Sequence, residues 1–79
     1  NIRYPIEAFA KGETGRVIVQ FVVEENGDLR QLKVVRGVSP SLDGEALRVV
    51  ATMPKWKPGM VDGKPVKVNY TIPIAFNLI

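Results

Sequence analysis

The chain has 79 residues, 46% of them hydrophobic, and a formal net charge of +3. This predicts one small domain, residues 1–79, with a limited core. Cysteine and histidine are both absent, which excludes disulfides and most nucleophilic, general-base and metal-site arrangements. No run of about 18 apolar residues occurs, so no segment is predicted to span a membrane.

The first element in the chain is a short helix over residues 4–12. Pro5 suits the first helical position and Glu7 the first turn. Lys11 suits the last turn, and Gly12 the C-terminal cap. We therefore predict a helix that ends just before the first strand.

A β-hairpin follows the helix. From Gly15 the residues alternate, which predicts a strand with one covered face; that face carries Val17, Val19, Phe21 and Val23. Asn26-Gly27 is a strong hairpin signal, and a second strand is predicted from about Leu29 to Val35. The alternation slips between Leu29 and Leu32, which predicts a bulge.

A second helix is predicted after the loop that follows this strand. Ser39 is a candidate N-cap with Pro40 at the next position, and Ser41 is the competing cap. Helical spacing places five apolar residues on one face: Leu42, Ala46, Val49, Val50 and Met53. Pro54 ends the helix, and residues 55–59 and 62–65 are predicted to be turns.

The last strand is predicted over residues 66–78, which alternate apolar and other residues almost without fault. Such a strand would be roughly 43 Å long, so part of it is expected to project beyond the sheet. Pro73 cannot donate to a strand ladder, which predicts that this strand lies at a sheet edge.

These elements predict an α+β fold, a two-layer sandwich. Three strands form an antiparallel sheet in the order 2-1-3, and both helices cover one face of it. Because Pro73 lacks an N–H, the odd-numbered residues of the last strand are predicted to aim their main chain at the open side. An open apolar edge favours binding another chain by strand addition. The predicted partner-binding residues are Lys67, Asn69, Thr71, Pro73 and Ala75.

Other functional classes have weaker support. Ser39 and Ser41 have no histidine to activate them and are interpreted as helix caps. The acidic residues of segment 24–28 are interpreted as part of a solvated turn rather than as a cation site. Trp56 lies among lysines, but it is interpreted as a core cap rather than a nucleic-acid contact. We therefore expect no enzyme, no cofactor and no metal.

The ordered set of motifs resembles the C-terminal domain of the TonB family over nearly the whole chain. The matching residues are Tyr4-Pro5, Ala8, Gly15-x-Val17-x-Val19-x-Phe21-x-Val23, Asn26-Gly27, Leu32-x-Val34, Leu42-Asp43, Ala46-Leu47, Pro54-Lys55-Trp56-Lys57-Pro58-Gly59, Gly63-Lys64-Pro65-Val66 and Ile72-Pro73-Ile74-x-Phe76.

The resemblance implies the periplasmic part of an energy transducer. The domain would capture the TonB box of outer-membrane transporters by strand addition and transmit proton-motive-force energy for uptake of siderophores and other nutrients. An ExbB/ExbD-type motor would act through an N-terminal part. The chain begins at Asn1 rather than Met, so we expect a fragment whose inner-membrane anchor lies upstream. By family analogy Tyr4 and Pro5 also contact the transporter, with helix-entry packing as the other interpretation.

Two alternatives stay open. TonB-like domains also occur as recognition modules of membrane sensors and membrane metallopeptidases, without a transport role. The second alternative is a small sheet-based nucleic-acid binder, which a steep salt dependence of oligonucleotide binding would support. In the isolated domain the open edge also allows a homodimer by strand pairing or swapping.

Overall fold

The computed structural model of the protein describes residues 3–78. Along the chain its elements are α1 (Ile6–Ala10), β1 (Gly15–Val23), β2 (Leu29–Arg36), α2 (Pro40–Ala51), β3 (Gly59–Val61), β4 (Lys64–Val66) and β5 (Val68–Phe76). The main sheet has the order β2-β1-β5, and both pairings are antiparallel. The prediction of a three-stranded antiparallel sheet whose last strand lies beside the first is confirmed.

The core lies between one face of the sheet and the helices. Alternate residues of β1 supply one side, and α2 supplies the other from positions that recur every three or four residues. The fully or almost fully buried apolar side chains are Ala8, Val17, Val19, Phe21, Val23, Leu42, Ala46, Val49, Val50, Ile74 and Phe76. The predicted core faces of the first strand and second helix are therefore confirmed, apart from Met53, which is half-buried and follows the helix.

Both helices begin at or near the predicted residues. Ser39 is the N-cap of α2, and its hydroxyl accepts a hydrogen bond from the Leu42 N–H at 3.3 Å. Pro40 follows it in the first turn. In α1, Pro5 is the N-cap and Lys11 the C-cap. The sequence pattern predicted both inside the helix, whereas each flanks it by one residue.

The hairpin between β1 and β2 contains two bulges. Gln31 and Leu32 lie opposite the single residue Phe21, which confirms the predicted slip, and Gln31 has φ of +54°. Val35 is a second extra residue, between the pairs Val19–Val34 and Ile18–Arg36. The bulges change which side chains of β2 share a face.

The C-terminal segment differs from the prediction. Residues 66–78 do not form one strand, because Lys64–Val66 (β4) folds back on Gly59–Val61 (β3) and only Val68–Phe76 (β5) joins the sheet. The cause is the Asp62-Gly63 turn, where both residues have positive φ, 52° and 76°, as two-residue hairpins of this type require. The sequence prediction took this turn only as the approach to the last strand and missed the hairpin.

The β3–β4 hairpin begins where β5 begins. A Cβ atom added at Gly59 would lie 2.2 Å from Val68 Cγ2, so the two backbones approach closely there. The molecule measures 49 Å along its long axis, whereas a nine-residue strand spans about 30 Å. The β3–β4 hairpin, rather than the last strand, therefore extends beyond the sheet. All residues of β5 lie opposite β1.

Candidate partner-binding edge

The edge of the sheet formed by β5 is the candidate functional site. β5 pairs with β1 on one side, and within residues 3–78 no strand lies on its other side. Its register with β1 is continuous from Val68 opposite Val23 to Phe76 opposite Gly15. The edge is therefore regular and about 30 Å long, which are the properties that another strand needs for pairing.

Hydrogen bonding at the β1–β2 hairpin shows which main-chain groups face outward. The Glu24 N–H donates to the Asp28 carbonyl at 2.8 Å, so even-numbered residues of this strand aim their main chain at β2. Odd-numbered residues of β1 then aim at β5, where they pair with even-numbered residues such as Ile72 and Ile74. It follows that the odd-numbered residues of β5 aim their N–H and C=O groups at the free side.

Pro73 leads to the same assignment independently. It lies opposite Ile18 and has no N–H to donate, so it suits a position whose main chain faces away from β1. The outward-facing residues of β5 are Asn69, Thr71, Pro73 and Ala75. All four carbonyls can accept a hydrogen bond, and every residue of the set except Pro73 can donate one.

The side chains along this edge divide between two faces. Tyr70 and Ile72 are half-buried and Ile74 is buried on the helix side. Asn69, Thr71, Pro73 and Ala75 are exposed on the other face. A strand added here would meet main-chain donors and acceptors at its side and short side chains on the open face, which imposes little demand on its sequence.

Lys67 has a different position from the other predicted binding residues. It lies between β4 and β5, so its main chain does not belong to the β5 ladder. Its Nζ lies 4.0 Å from Glu24 Oε2, and the side chain is 63% exposed. The prediction that Lys67 continues the edge strand is therefore wrong, because the chain leaves the β3–β4 hairpin at this residue.

Tyr4 and Pro5 lie at the other end of the edge. The Tyr4 ring packs edge-on against Phe76, the last residue of β5, with centroids 5.6 Å apart. Its hydroxyl donates to the Glu13 carbonyl, and the Pro5 carbonyl accepts from the Phe9 N–H at 2.9 Å. Helix-entry packing is therefore present, and it brings both residues beside the C-terminal end of β5.

The segment that carries Tyr4 is also fastened to α2. The Arg3 N–H donates to Glu45 Oε2 at 2.7 Å, and Arg48 pairs with the same carboxylate at 2.7 Å. The hydrogen bond from Arg48, helped by that from Arg3 and opposed by desolvation, lowers the pKa of Glu45 from 4.5 to about 2. The ionised carboxylate thus holds the N-terminal segment close to the end of β5.

Two exposed apolar residues of α1 beside Tyr4 were not found by sequence reasoning. Ile6 is 87% exposed and Phe9 is 63% exposed, and Phe9 packs edge-on against Tyr4 with centroids 6.0 Å apart. A five-residue helix is too short for its apolar period to show which face is covered. The only available signal was the presence of two large apolar residues in a helix next to Tyr4.

Trp56 has the core role that the sequence analysis favoured. Its ring lies 5.1 Å from that of Phe21 and 5.4 Å from that of Tyr70. The Trp56 N–H donates to the Gly27 carbonyl at 3.0 Å. The tryptophan therefore joins the loop after α2 to the first hairpin turn.

Within residues 3–78, no three or more acidic side chains are grouped so that they could hold a metal ion. In the same part of the chain, no helix is long and apolar enough to cross a membrane.

Comparison with known proteins identifies the family. The sequence model described as the Gram-negative bacterial TonB protein C-terminal matches residues 1–78. The chain belongs to the TonB C-terminal domain family. Two NMR solution structures of the Helicobacter pylori TonB C-terminal domain are similar to it, each 29% identical. The one of residues 179–285 has a TM-score of 0.75 and the alignment covers 99% of this chain and 70% of that chain. The one of residues 194–285 has a TM-score of 0.69, with 95% and 78% covered.

The search of curated protein sequences gives no match. The family resemblance drawn from the ordered motifs is confirmed, and so is the TonB C-terminal fold. The structural matches were determined for isolated C-terminal domains. They show that this TonB C-terminal domain shares its fold with those domains.

Proposed function

We propose that this TonB C-terminal domain is the periplasmic partner-binding domain of a TonB-type energy transducer. It captures the N-terminal TonB box of outer-membrane transporters by adding that segment as a strand to β5. The observation that carries the proposal is the regular free edge of β5, whose odd-numbered residues turn their main chain outward. Family membership over residues 1–78 supports the same function.

Strand addition suits a domain that transmits force. Each hydrogen bond of the added strand lies across the pulling direction, so several bonds share the load, and main-chain recognition accepts transporters of differing sequence. The domain itself performs no catalysis. In the whole protein we place an inner-membrane anchor in an N-terminal part, through which a separate ExbB/ExbD-type motor acts, and the energy drives uptake of siderophores or other nutrients.

Asn69, Thr71, Pro73 and Ala75 form the proposed contact along the edge. Tyr4 and Pro5 contribute at the end of β5, where Tyr4 packs against Phe76. Lys67 adds a side-chain contact beside the start of β5 rather than a main-chain one. The TonB box thus lies along β5 and finishes near the N-terminal segment.

An NMR titration with N-terminal peptides of TonB-dependent transporters from the same organism tests the proposal. We expect amide shifts and new exchange protection at Asn69, Thr71 and Ala75, because these residues carry the outward N–H groups. As a control, the same peptide is N-methylated at alternate residues, either at odd or at even positions, which removes the N–H donors from one of its two edges. Only the methylation pattern that removes the donors facing β5 should abolish binding.

Shifts confined to β2, or to the helices, would show that the partner does not add to β5. An absence of shifts with every transporter peptide would remove the transporter from the proposal and favour a recognition module of a membrane sensor or metallopeptidase. Protection at β5 with only one class of peptide would support the proposal and identify the transporter class.

A further inference from the structure

The face of the sheet opposite the helices carries a row of basic side chains. Along β2, Arg36, Lys33 and Arg30 lie opposite Ile18, Gln20 and Val22, which point away from the core. All three basic residues are exposed. We call Arg30, Lys33, Arg36 and the neighbouring Arg16 the basic row.

The two bulges of β2 create this row. Residues 30, 33 and 36 are three apart, so in a regular strand they would alternate between faces. The extra residues at Gln31–Leu32 and at Val35 correct the phase, so that all three share the face away from the helices. Because β1 stays regular, successive cations lie two β1 residues apart, about 7 Å.

Within residues 3–78, three of the four side chains of the basic row have no acidic partner. Within the described residues, no carboxylate lies within 4.0 Å of Arg16, Lys33 or Arg36, whereas Arg30 has one contact, to Asp28 at 3.8 Å. Arg16 and Arg36 line the same shallow cleft together with Ile18, Gly37 and Val38. Arg16, Lys33 and Arg36 therefore form an uncompensated positive surface on one edge of the open face, whereas the charge of Arg30 is shared with Asp28.

We propose that the basic row binds an acidic peptide segment in extended conformation, with Asp or Glu at alternate positions. In an extended chain, alternate side chains lie about 7 Å apart on one face, which is the spacing of the cations. The charges are complementary, and Arg side chains suit carboxylates because they bind them in a bidentate manner. Three of its four residues lie on β2 and Arg16 lies on β1, so the site uses side chains away from the free main-chain groups of β5.

A nucleic acid fits this surface less well. The half-buried side chains opposite the cations of β2 are aliphatic or amide groups, namely Ile18, Gln20 and Val22. The aromatic rings of the sheet, Phe21, Tyr70 and Phe76, lie on the helix side. Within residues 3–78, the open face therefore has no ring on which a base can stack.

The test measures the affinity of the intact chain for two acidic peptides of the same composition. One alternates Ser and Glu over seven residues, and the other places its three Glu residues together. Because exposed ion pairs each contribute a small factor, we expect the alternating peptide to bind about threefold more tightly. Binding should weaken as salt rises above about 0.1 M, with amide shifts at Gln20, Lys33 and Arg36.

Charge-matched variants separate the row from net charge. The double variant Lys33→Gln with Arg36→Gln should lower the affinity about tenfold, since two pairs are lost. Lys57→Gln with Lys64→Gln removes the same charge from exposed residues outside the main sheet and should change the affinity by less than about twofold. Transporter peptides should bind β5 equally well in both variants.

Any one of the following outcomes overturns the proposal. Equal losses in the two double variants would show that only net charge matters. Equal affinity for the two peptides, or no shift on the open face, would show that the spacing is not recognised. Tighter binding of a single-stranded oligonucleotide or of vesicles with anionic lipid would replace the acidic peptide with that other ligand.

Discussion

Pro73 provides the most direct test of which side of β5 is free. In Pro73→Ala a main-chain N–H appears at the residue opposite Ile18. If this N–H points outward, it gives an added strand one more hydrogen bond. A typical bond of this kind contributes about 0.5–1.5 kcal/mol, so the affinity of a transporter peptide should rise about two- to twelvefold.

The stability of the free domain should move in the opposite direction. The new N–H has only water as its partner before the peptide binds, and loss of proline makes the unfolded chain less restricted. We therefore expect a decrease of about 0.4–1 kcal/mol in the free energy of unfolding. Isothermal titration calorimetry measures the affinity, and urea denaturation measures the stability.

Pro65→Ala is the matched control, because Pro65 is exposed in β4 and pairs with Met60, away from β5. It should leave the peptide affinity unchanged. Stabilisation of the free domain by Pro73→Ala, without an increase in peptide affinity, would refute the outward orientation of residue 73. That result would mean that residue 73 aims its N–H at β1 and that the even-numbered residues face the free side.

Two further predictions concern stability. Glu45→Gln should lower the free energy of unfolding at pH 7 by about 0.2–1 kcal/mol, the range for a surface ion pair. A carboxylate whose pKa is lowered in the folded state stabilises the fold at pH values above its ordinary pKa. The urea midpoints of wild type and variant should therefore converge as the pH falls from 4.5 towards 2, the pKa of Glu45 in the folded protein. A difference that stays constant with pH would rule out the ion pair with Arg48 as its source. Gly27→Ala should cost more than about 2 kcal/mol, because φ is +91° and the new Cβ would lie 2.5 Å from the Trp56 carbonyl oxygen. Gly63→Ala, also at positive φ but with open space around it, should cost only about 1–2 kcal/mol; equal thermal shifts would show that contact with Trp56 is unimportant.

The main sheet was predictable because local signals and burial agree there. The alternation from Val17 to Val23, the Asn26-Gly27 turn and Pro73 each constrain the same topology, and the order β2-β1-β5 satisfies all of them. The N-cap at Ser39 was predictable for the same reason, since Pro40 fixes the first turn of the helix.

The C-terminal hairpin was not predictable from alternation alone. The pattern of residues 66–78 has the same period whether a residue pairs with β1 or with β3, so it does not show where one strand ends. The division at Lys67 depends on the Asp62-Gly63 turn, which brings Lys64–Val66 back onto Gly59–Val61. The position of Phe9 beside the edge depends on where α1 packs. A five-residue helix is too short for its sequence to show a periodic pattern that would predict this position.

The two edges of this sheet differ in a way that favours β5 as the strand acceptor. The β2 edge carries two bulges and three exposed cations, which disrupt a regular ladder and repel another basic strand. The β5 edge has an unbroken register, uncharged outward-facing residues and one missing donor at Pro73. A single proline removes one hydrogen bond of the added strand, whereas each bulge shifts every later pairing. A strand added at β5 therefore loses one hydrogen bond, whereas a strand added at β2 would have to change its register. The sheet thus presents main-chain hydrogen-bonding groups at the β5 edge and charged side chains at the β2 edge.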